Sequence, residues 1–167
     1  MISYIDIAII ENTYDNAFKR KIHGYGSLFL GLAVSCRRFF RDREYLLSLT
    51  DDAETLKVFK TKIFLGRLCS FMSLKKWTKM YTKWNGKCKD TTTKLVTVPT
   101  GRNHFFKEMY ERTDFCESTF MDFEGNNWRI PKSYDKYLTI MYGDYMKIPS
   151  VENREKHVLL DFDLGKE

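Results

Sequence analysis

The order of apolar and polar positions divides the chain into a short extended start, a long helical middle and a β-rich end. SerTyrIleAspIleAlaIleIle (3–10) is an almost unbroken apolar run with one acid in it, which predicts a buried strand. GluAsnThrTyrAspAsn (11–16) predicts a turn, with Asp15 or Asn16 placed to cap a following helix. Residues 17–49 predict helix in two pieces. AspAsp at 51–52 starts a third helix to about residue 70, with Leu56, Phe59, Ile63 and Phe64 as its apolar stripe. The next helix, about 74–84, sets Lys75, Lys79 and Lys83 on one face and Trp77, Met80, Tyr81 and Trp84 on the other, and Gly86 stops it. LysLeuValThrValPro (94–99) predicts a strand. Residues 117–130 alternate around GlyAsnAsn (125–127) and predict a hairpin. Pro131 then opens a short helix with Tyr137, Leu138 and Met141 as its stripe and Gly143 as its stop. The aromatic residues of this last unit, from Phe120 to Tyr145, are expected to pack on one another.

Charge changes the picture of the middle. Residues 14–94 hold 18 Lys and Arg against 7 Asp and Glu, a balance of +11 within a chain of net charge +6. A solvated helical face accounts for this, as does a phosphate-rich ligand, nucleic acid or an anionic membrane surface. Trp77 and Trp84 lie opposite the lysines rather than among them, which reads as core and disfavours a nucleic-acid platform. The uncharged stretch 24–36 is too short to span a bilayer, and reads as a core helix or as an interfacial one resting on a membrane. Cysteines at 36, 69, 88 and 116 lack Cys-x-x-Cys spacing and fit reduced thiols in a cytoplasmic protein. His23 and His104 have no ligand-spaced companions and read as ordinary surface or loop histidines. With 167 residues, 43% of them hydrophobic, the chain suits one domain and is too apolar for global disorder.

PheGluGly (123–125), IleProLysSerTyrAspLysTyrLeu (130–138), TyrGlyAspTyrMet (142–146), Pro149, Arg154 and His157 resemble, in order and spacing, the carboxyl-terminal pattern of the LicD family. TyrIleAspIle (4–7) resembles that family's Ile-Asp-Ile strand. The resemblance implies an α+β, nucleotidyltransferase-like domain: a short mixed sheet with a helical insert (14–94) and a motif-bearing end (115–160) made of a hairpin and a short helix. It also implies transfer of phosphocholine or a related phospho-alcohol from a CDP-linked donor to a surface glycan, with Mg²⁺ held by carboxylates. The family's Gly-Thr-Leu-Leu-Gly segment and the Asp-rich run after it have no counterpart before Asp6. GlySerLeuPheLeuGly (26–31) lies on the wrong side of Asp6 to replace them. The expectation is therefore the carboxyl-terminal portion of such an enzyme, inactive alone or completed by a partner chain, working at the inner face of a membrane.

Six residues are singled out. Asp6 is the catalytic and metal-ligating candidate, or else an acid on a solvated strand face. Glu124 and Asp144 are substrate-site candidates, or else turn acids hydrogen-bonded to backbone. Lys132, with Lys136, could meet a phosphate at a helix start. Arg154 could grip a diphosphate and His157 could bind phosphate or move a proton, or both could tie the tail to the acidic hairpin. The rival reading is a non-catalytic basic module in which Lys75, Lys79, Lys83, Arg37, Arg38 and Arg41 form one continuous face.

Overall fold

The computed structural model describes residues 8–150. Its elements run β1 (Glu11–Asn12), α1 (Ala17–Arg41), α2 (Arg43–Ser48), α3 (Ala53–Leu68), α4 (Leu74–Asn85), β2 (Leu95–Thr97), α5 (His104–Lys107), β3 (Met109–Glu111), β4 (Ser118–Phe123), β5 (Asn126–Pro131) and α6 (Tyr134–Tyr142). The apolar run at 3–10 lies largely outside the described residues. Strand pairing falls one step later, at Glu11 and Asn12, inside the predicted turn.

Side-chain caps explain where the helices begin. Asn16 accepts from the Lys19 amide, Asp52 from Thr55 and Ser73 from Lys76, so three of the orphan amide sets at helix starts find side-chain acceptors. Asp15, the other cap candidate for α1, instead accepts from the backbone N–H of Lys94 and holds the chain before α1 against β2. α1 is the central element: α3 and α4 both pack along it. Leu30, Ala33, Val34 and Trp77 form the helical core, with Tyr81 and Trp84 beside them. At the α1–α3 crossing, a Cβ on Gly66 would stand 2.1 Å from the Cys36 carbonyl oxygen, so only glycine allows the two backbones this close.

Two predictions fail here for one reason, that spacing alone does not say which neighbour arrives. His23, expected at the surface, is buried, and its Nε2 lies 2.8 Å from the Trp84 carbonyl oxygen and 3.1 Å from that of Asn85. Phe64, expected in the stripe of α3, points outward because α3 meets α1 along the face that carries Phe59, Ile63 and Gly66. The stretch 24–36 is a half-buried helix. Gly24, Ser27, Leu30, Ala33, Val34 and Cys36 face inward, while Tyr25, Phe29 and Leu32 face out.

β1, β2 and β3 form an antiparallel sheet in that order, and β4 and β5 form a separate antiparallel hairpin. The described pairings are thus all antiparallel, where a mixed sheet was expected. Arg112 clips the small sheet: its Nε donates to the Thr93 carbonyl and its guanidinium also donates to the side chains of Asn12 and Thr93. Val96, Val98 and Tyr110 form the second core, and Tyr137 and Ile140 of α6 close over it with Phe115. Pro131 ends β5 and does not open α6, since its partner across the hairpin is Ser118. The helix begins three residues later, and the Ser133 side chain makes no cap bond there.

Candidate functional site

The hairpin turn is built by two residues with positive φ, Glu124 at 53° and Gly125 at 75°, between paired Phe123 and Asn126. Such a two-residue loop follows the twist of the strands and fixes their register. That register puts Met121, Phe123, Trp128 and Ile130 on one face. α6 follows at once, and its Tyr134, Tyr137 and Leu138 line a groove together with that face. The TyrGlyAspTyrMet segment then turns back at Gly143, whose φ of 70° ends the helix. The Tyr145 hydroxyl donates to Asp135 Oδ1 at 2.6 Å, which pins this corner to the first turn of α6. The hydrogen bond to Asp135, more than burial, holds the Tyr145 hydroxyl up at about 12.

Between hairpin, helix and corner lies a groove of about 980 Å³. Its rings come from Phe115, Phe123, Trp128, Tyr134, Tyr137 and Tyr145, with Met121, Ile130, Leu138 and Met146 between them. Among the described residues, the ring contacts made here are not the mutual packing expected between Phe120 and Tyr145 but contacts to rings before the hairpin. Tyr137 does contact Tyr110 and Phe115, at ring separations of 5.5 and 6.4 Å. Phe123 and Trp128 remain 66% and 56% exposed on the groove's outer wall. Among the described residues no lysine or arginine lines the groove, and Asp122 is the one charged residue that does. Asp122 alternates away from Met121 and Phe123, so the rings rather than an ion pair set the character of the surface.

Below the groove sits Glu108, fully buried, with one oxygen accepting from the Asn103 amide and the other unpartnered among the described residues. Burial first, and the Glu108 charge second, push the Tyr110 and Tyr137 hydroxyls up from their usual range. Both therefore stay protonated. Neither the sequence spacing nor the motif pointed to Glu108.

The residues singled out from sequence do not gather at one point. Asp6, Arg154 and His157 lie outside the described residues. Glu124 stands exposed at the hairpin tip, and its carboxylate accepts no hydrogen bond from the described residues; its backbone carbonyl accepts from Asn126 Nδ2 instead. Asp144 opens the corner through its backbone carbonyl, which accepts from Lys147 N. Lys132 is joined to Glu117 at 2.8 Å in an exposed ion pair, and Lys136 to Asp114 at 2.8 Å, so neither ammonium is held ready for a phosphate at α6. The described residues do not fit a Mg²⁺ site either: no group of three or more His, Cys, Asp or Glu side chains among them could hold a metal ion. No step through a metal follows from this geometry.

Comparison with known proteins finds a likeness over a limited stretch. The chain is 37% identical over 43 residues to the lipopolysaccharide cholinephosphotransferase LicD of Haemophilus influenzae. The match covers 26% of this chain and 16% of that relative. It is a hint of a relation to a glycan-modifying transferase and no more. No protein-family profile matches the chain, and no solved structure matches it. No helix among the described residues is long and apolar enough to cross a membrane.

Proposed function

We propose that this chain is the headgroup-recognising portion of a LicD-like transferase, one that moves phosphocholine or a related phospho-alcohol from a CDP-linked donor to a glycan. The observation that carries the reading is the aromatic groove. Six rings, with no lysine or arginine among the described lining residues, offer π faces to a quaternary ammonium, a cation too weakly hydrated to resist leaving water. The groove is also large enough for an alcohol headgroup together with its phosphate. The local likeness to a cholinephosphotransferase supports the same reading. Mg²⁺ and the carboxylates that would hold it belong to the proposal only through the resemblance, and a partner chain is the proposed source of what these residues lack.

Calorimetric titration with phosphocholine tests it. Binding is expected, and Trp128→Ala is expected to weaken it by about 1–2 kcal/mol, the range of a desolvated cation–π contact. Circular dichroism should be unchanged, because Trp128 packs into neither core. Absence of binding, or equal binding by the variant, removes the proposal.

The basic-module reading is weakened by the fate of two of its residues. Arg37 is half-buried and donates to the Gly66 carbonyl while lying over the Phe40 ring. Arg41 is engaged with Asp42 at 2.7 Å. The continuous basic face that reading needs therefore has gaps.

A further inference from the structure

A second cavity, of about 630 Å³, opens between α1, α3, α4 and the loop that follows β2. Its chemistry is the reverse of the groove's. Arg38 from α1, Lys62 from α3 and His104 at the start of α5 line it, with Thr78 and Thr82 of α4 and Thr100 adding hydroxyls. Among the described residues no carboxylate lines it. Arg38 and Lys62, two cations brought from two helices to one concavity with no acid among its described lining residues, cost Coulomb energy that a bound anion would relieve. Arg38, Lys62 and His104 form no ion pair among the described residues. The nearest acid that acts on Arg38, Asp42, is already hydrogen-bonded through both oxygens to Arg41. Lys62 Nζ lies 4.5 Å from the Phe39 ring centroid, which holds the ammonium in place without neutralising it.

The loop itself carries a cost. His104 has φ 61°, in the left-handed region where a residue with a Cβ is disfavoured. The residues on either side of it are hydrogen-bonded to other elements. Tyr81 Oη donates to the Pro99 carbonyl at 2.9 Å, Asn103 Nδ2 donates to the Met141 carbonyl at 3.1 Å, and Thr97 Oγ1 donates to the Phe105 carbonyl at 2.8 Å. The strained histidine thus sits in a segment whose neighbours are tied to α4, α6 and β2, beside the basic cavity.

We infer that this cavity is an anion site for a small soluble diphosphate, with Arg38 and Lys62 as its cations and His104 as the loop-borne contact. The inference stands apart from the aromatic groove and does not rest on the transferase reading.

The test is titration of the chain with inorganic pyrophosphate, by calorimetry and by the ring proton signals of His104. Saturable binding that shifts the His104 signals is expected. Arg38→Gln, an exposed change, should weaken binding at least fivefold, and Arg38→Gln with Lys62→Gln at least twentyfold. His104→Gly should raise the melting temperature, by relieving the backbone, while weakening binding; a purely structural histidine would not separate the two. No binding, equal binding by the Arg38→Gln chain at an unchanged melting temperature, or displacement of pyrophosphate by a mixed-sequence oligonucleotide at lower concentration would each overturn the inference.

Discussion

Glu124 and Tyr145 show how single residues shape the corner. Glu124 occupies a left-handed position usually given to Asn, Asp or Gly. Glu124→Asn is therefore expected to stabilise the hairpin by a few tenths to about 1 kcal/mol. Slower hydrogen exchange of the β4 and β5 amides checks this, and faster exchange would show that the carboxylate holds the turn. Tyr145 gives a pH dependence. Its folded-state pKa is raised to about 12 by the bond to Asp135, against about 10 when unfolded. The folded state thus holds its proton longer, so the contribution is complete below about pH 10 and is lost as pH rises to 12. Alkaline titration of the corner, followed by the Tyr145 ring signals, should show this loss, and Asp135→Asn should move it to lower pH. The motif quoted from sequence named both residues, but it could not show that one bends the backbone and the other closes the corner.

At the scale of elements, Gly66 marks where α3 meets α1. Alanine there gains about 1 kcal/mol of helix propensity but drives a methyl into the Cys36 carbonyl, a contact that the two helices can relieve only by moving apart. Gly66→Ala is expected to cost about 2 kcal/mol net, read as a lower urea midpoint at unchanged slope. An unchanged midpoint would mean the crossing is loose. Helix positions were legible in the sequence because caps and periodicity are local signals; Asn16, Asp52, Gly86 and Gly143 all fall within a residue of an observed boundary. The burial of His23 and the exposure of Phe64 were not legible, because both depend on which helix packs against which face. Pro131 misled for a related reason. A fixed φ suits a helix start and an edge strand alike, and the pairing with Ser118 decided between them.

The whole molecule separates two chemistries. An apolar, aromatic groove lies on the hairpin and α6, and a basic cavity lies among α1, α3 and α4. The first was partly foreshadowed by the aromatic motif at 123–146. The second was hidden, because Arg38, Lys62 and His104 are far apart in sequence and only the packing of three elements unites them. The uneven charge of residues 14–94 was its one visible trace. Lys132, the phosphate candidate read from the motif, pairs instead with Glu117 at the surface.

The central claim is that the rings of the groove recognise a positive charge rather than mere apolar bulk. Choline and 3,3-dimethylbutan-1-ol have the same shape and differ in that charge, so paired titrations of the two isolate the cation–π contribution. Choline is expected to bind at least fivefold more tightly, corresponding to about 1 kcal/mol, and equal or weaker binding of choline would contradict the account.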